Sequence, residues 1–471
     1  MKIIIIYSGP ILTSESTEKE LKVVQDYQMP IGVLYLGQAL TDNGHKVILF
    51  DHNITGMSID SVINWIKKVK PDVLGFSVLS SSLYTSNAIA KRAKEWDPNL
   101  ITIYGSYIAT FCAPDVLKNC PYVDFCVRGE GENTIVDLLD TLEKKKLVSN
   151  VLGITYRSDG KIIENPDRPL IKDLDALNFP DRKLFRHTYQ FSGKVTTIVS
   201  SRGCPYRCRF CSCWKFARGK WRLRSIENVV EEMSYLQGEG FQELLFTDDC
   251  FNANRKRILK LCKSIKKEKL ELDWHSVGRI DRSDVQFLRT MVSSGCKTLV
   301  YGIESANQRI LDYYSKNTTT DMAIDAVKNA KKAGVEYIFG GFIIGAPTET
   351  REEVLNTINF GLKLQKYGLS LLQFQILYIS PGTDLYQEFI EKGLINREKS
   401  WGQEIAAVDL FPNSLRKSYL ELLAKKGFKN FITTKSYLIS EYLKSAKSLY
   451  RLRALRQIFR PKQIYLPFSE D

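Results

Sequence analysis

Residues 1–145 alternate short apolar runs with longer segments in which apolar residues recur every three or four positions. Unbroken apolar runs are typical of strands buried on both faces, and the longer periodicity is typical of amphipathic helices. The strand patterns lie at 2–7, 46–51, 72–77, 100–105 and 122–127, and the helical patterns at 31–43, 58–69, 86–96 and 132–144. The alternation predicts an α/β domain with a doubly wound, Rossmann-like parallel sheet, whose ligands bind at the carboxyl ends of the strands.

The pattern changes after residue 145. A Pro- and Asp-rich stretch at 146–194 is predicted to be a linker, with a hairpin that turns at Asp159 and Gly160. A second series of strand and helix patterns at 195–400 favours a partial or full (β/α) barrel, with its chemistry at the carboxyl ends of the strands. Its strands are expected at 196–200, 243–247, 273–277, 298–303, 337–344 and 372–378. The pattern at 401–471 is helical and increasingly basic.

Composition narrows the class of protein. Of the 471 residues, 44% are apolar and 25% are charged, as in globular proteins, and the opening run of isoleucines is too short for a signal peptide or a membrane span. We therefore expect a cytoplasmic protein without a transmembrane helix. Disulfides are rare in that compartment, so the ten cysteines are better interpreted as metal ligands or free thiols. The net charge of +14 is compatible with nucleic acid, an anionic membrane surface or an anionic substrate.

Three cysteines stand in the spacing CxxxCxxC directly after the first strand pattern of the barrel. Cys204, Cys208 and Cys211 can hold three irons of a 4Fe–4S cluster and leave the fourth iron open for a small molecule. A zinc site would normally require four closed ligands, and no histidine lies near this segment. Cys213 is either a fourth ligand or, more in keeping with its position in the next helical turn, a bystander or a thiol facing the substrate.

The segment RGCPYRCRFC around these cysteines resembles the cluster loop of the radical S-adenosylmethionine (SAM) enzymes. The resemblance implies that the open iron binds SAM, and that reductive cleavage of SAM gives a 5′-deoxyadenosyl radical that abstracts a hydrogen atom. Phe210 matches the aromatic residue that lies beside the adenine of SAM in this family.

Further segments at the ends of predicted strands resemble the SAM site of the same family. The resemblance implies that Asp248 accepts a hydrogen bond from the SAM ammonium group, and that Arg279 meets the SAM carboxylate. For Arg279, a salt bridge with Asp281 or Asp284 is the alternative. The family segment beside the ribose and methionyl part of SAM is matched by Gly302, Glu304 and Ser305.

The first domain resembles the cobalamin-binding domain of the radical SAM subfamily that includes oxidative cyclases and hopanoid methylases. The segments PIGVLYL at 30–36, GHKV at 44–47 and RGEGE at 128–132 carry this resemblance, which together with the barrel spans roughly residues 1–390. It implies a cobalamin site at Asp51, Asn53, Gly56, Ser77, Leu79 and Gly105. The alternative is a domain that keeps the fold but binds no cobalamin.

The segment at 51–56 departs from the pattern of many cobalamin-binding folds. In those folds a histidine that ligates cobalt stands at the position of Asn53, whereas here His52 is displaced by one residue. Neighbouring side chains on extended backbone point to opposite faces, so we do not expect His52 to ligate cobalt. Members of the family often bind cobalamin without a protein histidine on the metal.

The segment 444–462 carries seven basic residues and no acidic ones. With its interspersed apolar residues it predicts a basic amphipathic helix, which either packs on the barrel through its apolar side or lies on an anionic membrane as a peripheral contact. No nucleic-acid-binding module is recognised, so we expect no nucleic acid partner.

These features favour a cobalamin-dependent radical C-methyltransferase that acts on a small-molecule or lipid substrate, with electrons from a donor such as flavodoxin or ferredoxin. An alternative is a radical cyclase or oxidoreductase that forms rings in a lipid or tetrapyrrole. A different class is a cobalamin sensor or carrier without catalytic activity. A second cluster on Cys112, Cys120 and Cys126 would indicate a methylthiotransferase, but these cysteines do not follow one per strand end and are interpreted as buried or surface thiols.

Overall fold

The computed structural model describes residues 1–9, 29–185, 195–411, 415–434, 437–439, 442–444, 448 and 450. Its first half is built on a seven-stranded sheet with the order β2-β1-β3-β4-β5-β6-β7, in which β1 to β5 are parallel. The predicted doubly wound sheet is thereby confirmed. The strands are β1 (Lys2–Tyr7), β2 (Lys46–Asp51), β3 (Val73–Ser77), β4 (Ile101–Gly105), β5 (Phe125–Val127), β6 (Ile154–Ser158) and β7 (Lys161–Glu164).

The apolar run at the start of the chain is a strand in the middle of this sheet. β1 pairs with β2 on one side and with β3 on the other, and its isoleucines alternate between two separate cores. Ile4 and Ile6 belong to the core on one face, and Ile3 and Ile5 to the core on the other. The helices that cover the sheet are Ile31–Asp42, His52–Thr55, Ile59–Val69, Leu83–Trp96, Ser106–Phe111, Ala113–Asn119 and Glu132–Glu143.

The hairpin predicted at Asp159 and Gly160 is present. β6 and β7 pair antiparallel on either side of that turn, and both turn residues have a positive φ. β6 also pairs antiparallel with β5. The hairpin therefore extends the first sheet over residues that the sequence analysis assigned to the linker.

The second half is built on a six-stranded parallel sheet with the order β15-β14-β13-β12-β11-β8, so each strand lies beside its neighbour in the chain. This is the geometry of a partial (β/α) barrel. The six strands are β8 (Val195–Ile198), β11 (Glu243–Phe246), β12 (Asp273–Gly278), β13 (Cys296–Glu304), β14 (Tyr337–Ile344) and β15 (Leu371–Ile376). The intervening helices are Ile226–Gly238, Arg255–Lys267, Val285–Val292, Gln308–Tyr313, Thr320–Ala333 and Arg351–Tyr367.

The part after the barrel is only partly helical. β16 (Tyr378–Ile379) pairs antiparallel with β17 (Ile405–Ala406), and the helices are Asp384–Glu391, Arg397–Ser400 and Lys417–Thr433. Of the predicted helix at 444–462, only Lys444, Ser448 and Tyr450 lie within the described residues. The Tyr450 hydroxyl lies 2.7 Å from His275 Nε2. No helix in the described ranges is long and apolar enough to cross a membrane.

Candidate active site

The clustered cysteines lie on a loop at 203–212, here called the cysteine loop. Its base is a short ladder in which β9 (Ser201–Arg202) pairs antiparallel with β10 (Arg222–Leu223). Gly203 has a φ of +86°, and a Cβ atom there would lie 2.3 Å from the carbonyl oxygen of Lys220. Only glycine therefore lets the chain leave the ladder and turn into the loop.

The three predicted ligands are partly exposed thiols on this loop. A hydrogen bond from Cys250 lowers the pKa of Cys204 to about 7. A hydrogen bond from Cys213 lowers the pKa of Cys211, whereas burial raises the pKa of Cys208. The thiolate is the form of cysteine that binds metal, and these two hydrogen bonds favour the thiolate at Cys204 and Cys211.

The distances among the three sulfur atoms help to distinguish a site for an iron–sulfur cluster from a site for a single metal ion. Within the described residues, the only set of three or more possible ligands whose atoms all lie within 4.8 Å of one another is His45, Asp140 and Glu143. A zinc ion with bonds of about 2.3 Å would hold its thiolates about 3.8 Å apart. A cubane cluster binds each thiolate through a different iron and needs a wider set. The thiols of the cysteine loop interact electrostatically with one another but are too widely spread for a single zinc ion, and this is the arrangement expected for a 4Fe–4S cluster.

Cys213 lies where the cysteine loop meets the first domain. Its thiol is 3.7 Å from the hydroxyl of Tyr107, and Tyr107 stacks on Phe216 with ring centroids 4.7 Å apart. The hydrogen bond with Cys211, together with burial, raises the pKa of Cys213. Cys213 is also one of the residues that line the cavity between the two domains, and this favours its interpretation as a thiol facing the cavity.

The middle of the cysteine loop is held by the barrel. Phe210 packs edge to face on Tyr314, with ring centroids 5.2 Å apart, and the N–H of Arg209 donates to the Tyr314 carbonyl oxygen at 3.0 Å. The Arg209 guanidinium also forms an ion pair with Glu388. The ring of Phe210 is thus fixed beside the cysteines.

The Asp248 side chain already has partners within the barrel, and its contact with SAM stays a prediction. Its carboxylate is buried beneath the loop and accepts hydrogen bonds from the Ser200 N–H at 2.9 Å, the Ser200 hydroxyl at 2.7 Å and the Ser201 hydroxyl at 2.5 Å. The neighbouring Asp249 instead lines the cavity between the two domains and accepts from the Gly203 N–H at 3.0 Å. Asp248 thus holds the backbone and hydroxyl groups of Ser200 and Ser201, and Asp249 is the carboxylate that lines the cavity.

Arg279 lies under the cysteine loop in an ion pair. Its Nε is 3.0 Å from Asp281 Oδ1, which is one of the two partners weighed as the alternative. Its Nη2 donates to the Lys316 carbonyl oxygen at 2.8 Å, and its guanidinium lies over the ring of Tyr206, 3.9 Å from the centroid. Asp284 pairs with Arg255 instead. The contact of Arg279 with SAM therefore stays a prediction.

Glu304 forms a buried ion pair that the sequence did not reveal. Its Oε1 lies 2.7 Å from the ammonium group of Lys316, and both side chains are 10% exposed. Glu304 has a positive φ next to an irregularity in β13. A Cβ atom at Gly302 would lie 2.4 Å from Glu304 Oε1, so the glycine makes room for the pair. Ser305 is fully buried, and its hydroxyl lies 3.2 Å from that of Thr357.

A cavity of about 570 Å³ lies between the carboxyl edge of the first sheet and the cysteine loop. Three of the six residues assigned to cobalamin line it, namely Ser77, Leu79 and Gly105. The wall of this interdomain cavity is mostly apolar, as in many cofactor sites. A glycine and a serine at the strand ends leave space that a bulky cofactor can enter.

The other three cobalamin candidates are not among the residues that line the interdomain cavity. Asp51 caps the helix His52–Thr55 by accepting from the Asn53 N–H at 2.9 Å, and Gly56 ends that helix with a positive φ. Asn53 lies against Gly9. The Nε2 atom of His52 is 2.9 Å from the Met57 carbonyl oxygen, and burial lowers the pKa of the ring.

The structure thus brings Ser77, Leu79, Gly105, Cys213 and Gly203, the first residue of the cysteine loop, around one space between the domains. Cys204, Cys208, Cys211 and Phe210 lie farther along that loop and are not among the residues that line this space. Sequence reasoning missed Asp249, Tyr107 and Lys316. The signals for the first two were weak but present, because both follow predicted strand ends. Nothing in the sequence pointed to Lys316, since its pairing depends on the irregularity in β13.

Comparison with known proteins matches both halves of the chain. The profile of the Radical SAM superfamily matches residues 198–361, and that of the B12 binding domain matches residues 21–139. An uncharacterized methyltransferase of Pyrococcus horikoshii is 36% identical over 389 residues, which are 82% of this chain and 84% of the relative. The anaerobic magnesium-protoporphyrin IX monomethyl ester cyclase of Rubrivivax gelatinosus is 30% identical over 377 residues, which are 77% of this chain and 66% of the relative.

Among solved structures, the chain is similar to the radical S-adenosylmethionine methyltransferase TsrM from Kitasatospora setae with cobalamin and a [4Fe-4S] cluster bound. The TM-score is 0.67 at 17% identity, and the likeness covers 83% of this chain and 78% of the other. At that identity the likeness concerns the fold, and it includes the pairing of a doubly wound domain with a partial barrel.

Proposed function

We propose that this chain, which belongs to the radical SAM superfamily and carries a B12 binding domain, is a cobalamin-dependent radical SAM enzyme that methylates an unactivated carbon. One observation carries the proposal. Gly203, at which the cysteine loop begins, and the carboxyl edge of the first sheet line the same interdomain cavity. A substrate in that cavity would be within reach of both cofactors.

The bound cofactors would supply a 5′-deoxyadenosyl radical, from SAM at the 4Fe–4S cluster, and a methyl group, from cobalamin. The chain itself would hold and orient them. We assign the irons to the thiolates of Cys204, Cys208 and Cys211, and the edge of the cobalamin site to Ser77, Leu79 and Gly105. The apolar cavity wall would keep water from a reactive radical. For SAM we propose contacts with the residues predicted from the sequence, namely Phe210, Asp248, Arg279, Gly302, Glu304 and Ser305. We add Asp249, which lines the cavity.

A second candidate function is ring formation by a radical cyclase. The similarity to a magnesium-protoporphyrin monomethyl ester cyclase favours it, since that relative covers 77% of this chain. The two functions differ in their products. Methyl transfer consumes SAM in two ways and gives both 5′-deoxyadenosine and S-adenosylhomocysteine, whereas ring formation gives 5′-deoxyadenosine alone.

The substrate is a small molecule, and the enzyme takes electrons from a reductant. We propose a flavodoxin or ferredoxin as that reductant.

A peripheral membrane contact through 444–462 would suit a lipid substrate. It is supported by apolar side chains that are more than half exposed just before this segment, namely Leu438, Ile439, Tyr442 and Leu443. We propose domains at 1–145, 195–400 and 401–471, with a linker at 146–194 whose hairpin adds β6 and β7 to the first sheet.

The proposal is tested by incubating the reconstituted protein anaerobically with SAM, cobalamin and a strong reductant, and separating the nucleosides by chromatography. We expect 5′-deoxyadenosine and S-adenosylhomocysteine from the wild type. Cys208→Ala should form neither, because it lacks a cluster ligand, whereas Cys213→Ala serves as the matched cysteine control and should keep its cluster. 5′-Deoxyadenosine without S-adenosylhomocysteine would favour the cyclase, and failure of the cluster-loaded protein to bind SAM would refute both functions.

A further inference from the structure

A group of buried charges joins the two domains beside the cysteine loop. The guanidinium of Arg202 in the second domain lies 3.0 Å from Glu130 and 2.7 Å from Glu132 in the first. Arg222 lies 2.8 Å from Glu130. Although burial opposes it, hydrogen bonds from Arg222 and Arg202 lower the pKa of Glu130. The group is therefore held together as ions.

The burial of these side chains sets them apart from most ion pairs of the chain. Arg202 is 17% exposed, Glu130 is 8% exposed and Glu132 is 5% exposed. Solvent-exposed pairs contribute little, but a buried charge that loses its partner is strongly destabilising. The ring of Tyr35, from the first domain, lies under the Arg202 guanidinium, 5.0 Å from its centre. Both domains thus enclose the arginine.

The chain position of Arg202 connects this group to the cluster ligands. Arg202 ends β9, and only Gly203 separates it from Cys204. The Gly203 N–H is itself fixed by Asp249. On the other side, Glu132 begins the helix Glu132–Glu143, and both glutamates line the interdomain cavity. A shift of Arg202 would therefore move the start of the cysteine loop relative to that cavity.

We propose that Arg202, Glu130 and Glu132 form an interdomain clamp that positions the cysteine loop against the cobalamin side of the cavity, an inference that rests on the proposed function. These are positioning residues, since they act through the loop. Formation of 5′-deoxyadenosine requires SAM at the cluster and an electron from the added reductant, but no contact with cobalamin. Formation of S-adenosylhomocysteine requires SAM and cobalamin to meet across the cavity. Loosening the clamp should therefore reduce the formation of S-adenosylhomocysteine more than that of 5′-deoxyadenosine.

The test uses Glu132→Gln, which keeps the shape of the side chain and removes one charged partner of Arg202, in protein loaded with cluster and cobalamin. We expect the amides of 203–212 to exchange with deuterium about tenfold faster than in the wild type, the effect of losing one charge-assisted hydrogen bond. The ratio of 5′-deoxyadenosine to S-adenosylhomocysteine should rise about tenfold. Arg202→Lys, which cannot bridge two carboxylates in a fixed fork, is a second variant with the same expected direction.

The matched control is Asp115→Asn. It breaks an ion pair between Arg397 and Asp115, 2.7 Å long, which also joins the first domain to the second half but is more exposed. In Asp115→Asn, neither the deuterium exchange of the amides of 203–212 nor the ratio of the two products should change. The clamp is refuted if Glu132→Gln exchanges like the wild type, if Asp115→Asn has the same effect, or if both products fall in parallel. A wild type that forms no S-adenosylhomocysteine would refute methyl transfer instead, and the exchange comparison would still decide the clamp.

Discussion

The two walls of the interdomain cavity are built in different ways. On the barrel side, Arg202 and Arg222 line the cavity and are paired with glutamates, and further buried charges are paired behind them, namely Glu304 with Lys316 and Arg279 with Asp281. The side of the first sheet is formed by glycine, serine and apolar residues at strand ends, such as Ser77, Leu79 and Gly105. The polar groups of the barrel side are held by partners, whereas the small side chains of the first domain leave space in the cavity.

The difference fits the two tasks proposed for the walls. A radical must form next to a fixed carbon atom, so the groups that hold its precursor are best preorganised by neighbours. A large cofactor with many contacts of its own needs a shaped and mostly apolar recess. The two walls should therefore respond to different substitutions, the barrel side to loss of charge and the first domain to added volume.

The largest effect is expected from Lys316→Met, which leaves the Glu304 carboxylate buried without its partner. The free energy of unfolding should fall by about 4 kcal/mol, as is typical when one member of a buried pair is removed. Urea denaturation monitored by circular dichroism would measure it. The control is Lys297→Met, which breaks a pair with Glu336 at 2.9 Å that is 28% exposed on the lysine side and should cost about 1 kcal/mol or less. Equal losses in both variants would show that burial of the first pair is unimportant.

Most of the fold could be predicted from the pattern of apolar residues, because that pattern follows from which side chains are buried. The isoleucines of β1 and the strands of the barrel stand out as apolar runs, and all six barrel strands lie within two residues of the predicted bounds. The cysteine spacing likewise predicted three ligands on one loop, and the structure places the three thiols on such a loop, partly exposed. Each of these features depends on residues close together in the chain, and such features can be recognised in a single sequence.

The parts of the site that escaped prediction depend on contacts distant in the chain. Asp248 and Asp249 are adjacent, and only the three-dimensional path of the loop decides which of them is buried under Ser200. Asp51 and Gly56 stand in a cobalamin-like pattern, yet here they cap and end a short helix. Motif resemblance assigns a position in the chain, but the direction of a side chain follows from packing.

A second effect concerns pH and the barrel end of β14. Glu349 is buried, and burial raises its pKa from 4.5 to about 7, although the N–H groups of Gly345 and Ala346 donate to it. The folded state therefore keeps its proton up to a higher pH than the unfolded state. Its contribution is fully present below pH 4.5 and is lost as the pH rises to about 7.

Glu349→Gln should remove this dependence. Between pH 4.5 and 7 the wild type should lose about 3 kcal/mol of unfolding free energy relative to the variant, since a unit of pKa shift corresponds to about 1.4 kcal/mol. Denaturation curves of both proteins across that range would measure the difference. Parallel curves would mean that the carboxyl group is ionised in the folded state, and the barrel would then hold a buried carboxylate without a cationic partner.

The smallest effect is expected on the opposite wall, from Gly105→Leu. Gly105 has extended backbone with a φ of −134°, which any residue adopts, and a Cβ atom there would meet nothing closer than the Phe76 carbonyl oxygen at 3.8 Å. The new side chain would therefore occupy the cavity without straining the chain, and cobalamin affinity should fall about tenfold, equivalent to about 1.4 kcal/mol. Titration of cobalamin by absorbance would measure it, with Gly238→Leu on an exposed helix position as the control. Formation of 5′-deoxyadenosine should persist in Gly105→Leu, because the cysteine loop is held from the barrel; if it disappeared together with cobalamin binding, the two walls would not be separable.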